Sequence, residues 1–192
     1  MQFSAALVMA FATLSIAAPL STRALGTKTY NELSISGGTA GDGEAEALAK
    51  LDVGSDFAAV SKEDIKFLND VNDLGNAAEK EGFNPLIESA TGDEKIAAAN
   101  GKTKNKILKL MASVLELKAE GAQGKDTTAK LAEEQKKLDG NIAKDKANAG
   151  QPSTAVEFEG TAGGEAGGVK KEAKAKGKEA KTKSKEAKDT KA

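Results

Sequence analysis

Apolar residues recur every three or four positions from about residue 61 onward, a pattern typical of helices with one buried face. Ser61, with Asp64 three residues later, resembles a capping box, so a first helix is expected to begin there. Gly82 stands where it can end this helix in the left-handed conformation. The apolar stripe of the helix consists of Ile65, Leu68, Val71, Leu74 and Ala78.

The next stretch predicts a second helix, with Asn84 as its cap and Pro85 as its first helical residue. Gly92 weakens the middle of this helix, and the pair Asn100 and Gly101 is expected to close it. The apolar face of the second helix consists of Leu86, Ile87, Ala90 and residues 96 to 99.

The strongest helical pattern runs from Lys102 to Glu120, and a short loop separates it from a fourth helix that Asp126 caps and Gly150 ends. Because two helices joined by so short a loop pack side by side, we expect an antiparallel hairpin. The predicted fold class is therefore all-α, a small antiparallel bundle of three or four helices over residues 61–150. The stripe of the third helix is Ile107, Leu110, Met111, Val114 and Leu117, flanked by Lys104, Lys106, Lys109, Glu116 and Lys118. The fourth helix contributes Leu131, Leu138 and Ile142.

Residues 18–60 carry weaker signals and are predicted as an irregular, glycine-containing segment with one short helix at 44–51. A short extended piece is expected at 30–35, followed by a flexible glycine loop at 37–41. A phosphate-binding loop would continue into Gly-Lys-Ser/Thr after a buried strand. The sequence has neither feature here, so a plain loop is favoured.

Beyond Gly150 the composition changes twice. Residues 151–168 are predicted as a glycine-rich linker, and residues 169–192 as a tail of three heptads, KEAKAKG, KEAKTKS and KEAKDTK. Each heptad offers a single Ala to a helical seam, which buries too little apolar surface to offset the lost chain entropy. The tail is therefore predicted to be disordered, a solvated chain with transient helix.

The balance of charge also changes at residue 169, where the tail begins. The formal net charge is −1, but residues 169–192 contain ten lysines and four acidic residues, and the rest contains 18 basic and 25 acidic residues. A basic tail on an acidic body predicts attraction to an anionic surface or polymer. The alternative is a tail that only keeps the chain in solution. The candidate polyanion-binding residues are Lys170, Lys171, Lys174, Lys176, Lys178, Lys181, Lys183, Lys185 and Lys188.

The start of the chain has the features of a signal peptide. Residues 5–17 form an uncharged apolar run that is too short to span a bilayer. Ser15 and Ala17 place small residues at positions −3 and −1, so cleavage is expected before Ala18 and the protein is predicted to be secreted. The alternative is a buried N-terminal helix. No later stretch is apolar enough to predict a transmembrane segment.

The residue types present exclude several kinds of chemistry. The chain has no cysteine and no histidine, which excludes Cys or His zinc sites, Ser-His-Asp triads and cysteine nucleophiles. Residues 70–81 place Asp, Asn, Gly and Glu at positions 1, 3, 6 and 12 of a calcium loop. Leu74 stands at position 5 without an oxygen ligand and continues the helical stripe, so a helix is favoured. No catalytic residue, metal site or cofactor is predicted.

Two resemblances suggest settings for such a chain. The Lys, Ala and Glu repeats of the tail resemble late-embryogenesis-abundant desiccation proteins, and also linker-histone tails, in composition. Six motifs of the body, between residues 30 and 151, are similar to small secreted proteins of filamentous ascomycete fungi, a group without a defined biochemical activity. The motifs are YNEL at 30–33, ISGGTAG at 35–41, GFNP at 82–85, NGKTKNK at 100–106, GKDT at 124–127 and NIAKDKANAGQ at 141–151.

The second resemblance implies a fungal secreted protein that acts at a host or substrate interface. We therefore predict a secreted, non-enzymatic helical protein that acts by association and is effector-like or cell-wall-associated. The alternative function is an extracellular stress or desiccation protectant of the late-embryogenesis-abundant type. The sequence specifies no partner beyond an anionic surface or polymer, and no oligomeric state.

Overall fold

A computed structural model describes residues 24–164 of the chain. Six α-helices make up most of this part, which confirms the predicted all-α class. The predicted leader at 1–17 and the repeat tail at 169–192 lie outside the described residues. Within residues 24–164, no helix is long and apolar enough to cross a membrane. The helices are α1 (Tyr30–Leu33), α2 (Gly43–Lys50), α3 (Lys62–Ala78), α4 (Asn84–Ser89), α5 (Gly92–Ala122) and α6 (Thr128–Ala147). The other elements are strands β1 (Lys28–Thr29) and β2 (Thr161–Ala162), a 3-10 turn at Phe57–Ala59 and a π turn at Glu79–Phe83.

Helix α5 is the centre of the fold, and α2, α3 and α6 all contact it. Between Lys104 and Leu115, only Lys106 and Lys109 are partly exposed, and every other residue is buried. A helix that is buried on all sides needs apolar residues beyond a single stripe. Leu108, Ala112 and Leu115 supply them here and extend the five-residue stripe predicted for this helix.

Helix α3 begins as predicted. Ser61 is its N-cap, and the Ser61 hydroxyl oxygen accepts the Asp64 N–H at 3.0 Å. The predicted left-handed end at Gly82 is wrong, because a π turn carries the chain from α3 into α4 without a break. A Cβ atom on Gly82 would lie 2.9 Å from Val156 Cγ2. The glycine therefore makes room for a later segment of the chain.

The junction between α4 and α5 also differs from the prediction. Asn84 does not cap α4, because Phe83 before it already has a helical backbone. The Asn84 side-chain oxygen instead accepts Lys102 Nζ at 2.7 Å, whereas Pro85 lies in the first turn as expected. The break between the helices falls at Ala90 and Thr91, whose backbones are extended. Helix α5 then begins at Gly92, whose φ of +54° is the left-handed conformation that favours glycine.

The predicted end of a helix at Asn100 and Gly101 is wrong, because α5 continues through both residues and is 31 residues long. Both residues contact the chain that returns from α6. Asn100 Nδ2 donates to the Pro152 carbonyl oxygen at 2.9 Å, and a Cβ atom on Gly101 would clash with the Thr154 carbonyl oxygen. The Asn-Gly pair therefore marks a close approach of backbone to a helix rather than a turn.

Helices α5 and α6 form the predicted hairpin and contact each other along it. The predicted cap at Asp126 is wrong by one residue, because Thr127 is the N-cap of α6 and makes no side-chain capping bond. The Asp126 side chain still accepts the N–H of Thr128, the first residue of α6, at 3.2 Å. Leu138 and Ile142 are buried against the core. Most other side chains of α6 are exposed, which makes α6 the most polar of the three long helices.

The N-terminal segment is more ordered than its composition predicts. Residues 30–33 form the helical turn α1 instead of an extended piece, and both Tyr30 and Leu33 are buried. The short helix predicted at 44–51 is α2, shifted by one residue. This segment therefore adds side chains to the core of the bundle.

Residues 151–164, which we call the return segment, pack on the body and do not form the predicted linker. Phe158 is buried, and its ring meets the edge of the Tyr30 ring at a centroid distance of 5.6 Å. Strand β2 of the return segment pairs antiparallel with β1, which sets Lys28 opposite Ala162. The two ends of the body therefore lie side by side.

Candidate functional site

A row of polar side chains lies where α3 and the π turn meet α5, and we call this row the polar seam. Its members follow one another at spacings of three and four residues on both sides. Residues at such spacings share one face of a helix, so two continuous polar rows face each other. The members on α3 and the π turn are Asn69, Asn72, Asn76 and Glu79, and those on α5 are Lys102, Lys106, Lys109, Ser113 and Glu116.

Side-chain amides occupy the middle of the polar seam. Asn72 Nδ2 donates to Ser113 Oγ at 2.8 Å and to the Lys109 carbonyl oxygen at 3.1 Å. Asn76 Nδ2 donates to Asn72 Oδ1 at 2.9 Å, and Asn76 Oδ1 accepts Lys109 Nζ at 2.8 Å. Because each amide has partners on two sides, the side chains are held in one arrangement.

Three lysines meet one carboxylate at the end of the seam near α4, and we call this group the basic end. Glu79 Oε2 lies 2.6 Å from Lys109 Nζ, and Glu79 Oε1 lies 3.2 Å from Lys106 Nζ and 3.5 Å from Lys102 Nζ. The exposed fractions of the lysine side chains are 13% for Lys109, 26% for Lys102 and 35% for Lys106. Three ammonium groups and one carboxylate leave two positive charges in a partly buried place.

The lysines also set the acidity of Glu79. Burial by itself would raise the pKa of Glu79, but the hydrogen bond and charge of Lys109, with Lys106, lower that pKa below its ordinary value of 4.5. The carboxylate is therefore ionised at neutral pH, and the lysines favour this ionised form in its partly buried position.

The opposite end of the seam has the opposite effect on the pKa of a carboxylate. Burial raises the pKa of Glu116 above its ordinary value of 4.5, and the charge of Glu120 raises the pKa further. Asn69 Nδ2 donates to Glu116 Oε1 at 3.4 Å. The polar seam is thus polarised along α5 in its effect on carboxylates, because ionisation is favoured at Glu79 near α4 and disfavoured at Glu116 near the loop to α6.

The basic end is an exception on an acidic body. Residues 24–164 contain 17 lysines and 24 acidic residues, a balance of −7. In the other ion pairs of residues 24–164, each carboxylate contacts a single lysine. On α6, for example, Lys137 contacts both Glu133 at 2.7 Å and Glu134 at 3.0 Å.

A second polar group lies on another side of α5, around the buried ammonium of Lys104. Lys104 was predicted to flank the stripe beside Lys106 and Lys109, but its exposed fraction is 0%. Its Nζ donates to the carbonyl oxygens of Gly37 at 3.0 Å and Thr39 at 2.9 Å, and it lies 2.7 Å from Glu46 Oε2. The glycine loop at 37–41, predicted to be flexible, is therefore tied to α5.

A cleft of about 290 Å³ lies next to this loop, between α1 and the return segment. Tyr30 is the neighbour in sequence of Asn31, which lines the cleft. The Tyr30 hydroxyl donates to Asn105 Oδ1 at 2.9 Å, and burial raises the pKa of Tyr30 above its ordinary value of 10.0. Ser36 Oγ is also buried, with no hydrogen-bond partner among the described residues. The cleft is lined by Asn31, Ser34, Gly37, Ala155, Val156 and Glu157.

The other candidate residues from the sequence have a simpler outcome. Residues 70–81 are helical throughout and do not form a loop that could wrap an ion. Asp70 Oδ2 instead accepts Lys66 Nζ at 2.7 Å and the Gly163 N–H at 3.0 Å. In residues 24–164, no group of three or more acidic side chains could hold a metal ion. The predicted polyanion-binding lysines, residues 170–188, lie outside the described residues.

Sequence reasoning missed the polar seam because it followed apolar residues. The signal was present, since the seam residues of α3 repeat at the helical period beside the apolar stripe. The lysines of α5 also repeat at the helical period, and the sequence pattern predicted them at the edge of the third helix. Only the packing of α3 on α5 brings the two rows together.

A family model described as a domain of unknown function, DUF8454, matches residues 25–157. The chain belongs to this family. The matched residues contain the whole polar seam, the Lys104 contacts and the first half of the return segment. No match was found in the search of curated proteins or in the search of solved structures.

Proposed function

We propose that this DUF8454 protein is a secreted, non-enzymatic helical protein that acts by association, as an effector-like or cell-wall-associated factor. The observation that carries the proposal is the polar seam. Its amide, ammonium and carboxylate groups hold one another in place on a folded body, and a surface fixed before binding loses less entropy when a partner arrives.

The proposal of secretion rests on the predicted leader at residues 1–17, and a non-enzymatic role is in keeping with the lack of histidine and cysteine in the sequence. The charge distribution favours an anionic partner. The tail carries an excess of six positive charges, and the basic end of the seam adds two on the body.

The test is retention of the purified mature chain by an insoluble cell-wall fraction at low and high salt. We expect retention at low salt and release as salt rises, because contacts between exposed charges are screened. The fraction itself should be chemically unchanged afterwards. A catalytic quantity of the protein that altered the composition of the fraction would contradict a non-enzymatic role, and a lack of retention would contradict wall association.

The second candidate function is a stress or desiccation protectant, which the Lys, Ala and Glu repeats of residues 169–192 favour. Circular dichroism separates the two candidates. A protectant of the late-embryogenesis-abundant type should be largely unstructured in water and gain helix on drying. A protein that acts through a folded surface should be helical in water and melt cooperatively.

A further inference from the structure

We propose that the basic end of the polar seam is an anion-binding site for a phosphate group, held by Lys102, Lys106 and Lys109. This inference deepens the proposed function, because it names the ligand chemistry at one end of the same seam.

The stoichiometry of charge favours an anionic ligand. Glu79 carries one negative charge, and the three ammonium groups that contact it lie within 3.5 Å of its carboxylate oxygens. Two positive charges remain uncompensated by these contacts. A phosphate group carries between one and two negative charges near neutral pH, so it matches the excess at this place.

The lysines also have N–H groups to spare. An ammonium group has three N–H donors. Lys109 uses two of them, on Glu79 and Asn76, and Lys102 contacts Glu79 and Asn84. Lys106 contacts Glu79 alone among the described residues and is the most exposed of the three lysines. The free donors therefore gather around Lys106, where a ligand has access.

The surroundings hold these donors in position. Asn76 Oδ1 fixes Lys109 at 2.8 Å, and Asn84 Oδ1 fixes Lys102 at 2.7 Å. Glu79 joins all three ammonium groups from one side. A phosphate group that approaches from the solvent side meets ammonium groups that are already oriented, which distinguishes the basic end from isolated lysines on the surface.

The test measures the melting temperature of the full-length mature protein with inorganic phosphate, at constant ionic strength set with sodium chloride. A ligand that binds the folded state stabilises it, so we expect about 20 mM phosphate to raise the melting temperature by roughly 2 °C or more. Lys106→Gln should abolish this rise, and Lys106→Arg should retain it. Lys136→Gln on α6 and Lys174→Gln in the tail remove the same charge elsewhere and should leave the rise unchanged.

Sulfate at the same ionic strength distinguishes charge from phosphate chemistry. An equal rise with sulfate that depends on Lys106 supports a site for tetrahedral oxyanions in general. A rise that persists in Lys106→Gln, or no rise beyond that of chloride, overturns the proposal. Phosphate-induced shifts of the backbone amides near Lys106 in NMR spectra give a second readout that does not depend on stability.

The inference and the proposed function can fail separately. Retention by the cell-wall fraction without a phosphate effect would leave association intact and overturn the anion site. A phosphate effect without retention would support the anion site and contradict wall association.

Discussion

The ammonium group of Lys104 has no exposed surface, and its acceptors belong to the glycine loop and α2. A buried charge is tolerated only when it is paired and hydrogen-bonded, and removing one partner is more costly than never having placed the pair there. Lys104 therefore ties the loop at 37–41 to α5, in addition to the backbone hydrogen bonds that join the loop to the return segment.

Replacing Lys104 by Met tests this role. The variant keeps the apolar stem but leaves Glu46 without its ion-pair partner and two carbonyl oxygens without their donor. We therefore expect a loss of about 2 to 4 kcal/mol in the free energy of unfolding, measured with urea. Lys136→Met, on the exposed side of α6, should change stability by about 0.5 kcal/mol or less. Equal small effects in the two variants would mean that the ammonium of Lys104 is not needed to hold the loop.

Two glutamates of the polar seam should respond to pH in opposite ways. The pKa of Glu79 is lowered in the folded state, so its contribution to stability is present above the ordinary value of 4.5 and is lost as pH falls through the folded pKa. The pKa of Glu116 is raised. Its ionisation therefore costs stability at neutral pH, and this cost disappears as pH falls from the raised pKa towards 4.5.

At pH 7 we therefore expect Glu79→Gln to destabilise the protein and Glu116→Gln to stabilise it, in urea unfolding measured by circular dichroism. Both differences should shrink in acid, that of Glu116→Gln at higher pH than that of Glu79→Gln. The same sign for both variants at pH 7 would contradict the polarised seam.

At the scale of the helices, the sequence predicted well what depends on local periodicity. The Ser61 cap, the buried stripe of α5 and the α5–α6 hairpin all follow from neighbours within one or two turns. Gly82 and Gly101 were misread because a glycine can either end a helix or admit another segment closely. The residues next to a glycine in the sequence do not show which of these two roles it has. At Gly82 and Gly101 the role is set by contact with the return segment, which is distant in sequence.

Gly101 offers a sharp test of this reading. Gly→Ala in a helix interior normally stabilises by about 0.5 to 1 kcal/mol. At Gly101 the new Cβ would collide with the Thr154 carbonyl oxygen, so we expect Gly101→Ala to destabilise by about 1 to 3 kcal/mol instead. Gly140→Ala in α6, where a Cβ meets nothing within 4 Å, is the matched control and should stabilise. Stabilisation by both substitutions would show that the return segment does not cross α5.

At the scale of the whole molecule, composition gave the wrong boundary of the folded body. Glycine-rich stretches at both ends suggested a linker after residue 150, yet the body closes only through residues 151–164. Strand β1 pairs with β2, and the Tyr30 ring packs against the Phe158 ring. Such pairings between residues more than 120 positions apart leave no periodic pattern in the sequence.

Two truncations locate this boundary. A chain that ends at residue 168 keeps the return segment and should melt at the same temperature as the full-length protein. A chain that ends at residue 151 loses the buried Phe158 and Ala162, and we expect it to lose about 4 kcal/mol or more in the free energy of unfolding. Thermal melts by circular dichroism distinguish the two, and equal melting temperatures would mean that the return segment adds nothing to the fold.

The pairing of β1 with β2 also has a consequence for the time at which the protein can fold. Residues 28 and 29 meet their partners only after residue 162 has been synthesised, so the packing around Tyr30 is completed by almost the last part of the domain to leave the ribosome. Until then the first segment to emerge stays without its final contacts. For a chain that is exported, as we propose, the body therefore reaches its final packing only when nearly all of it has been synthesised.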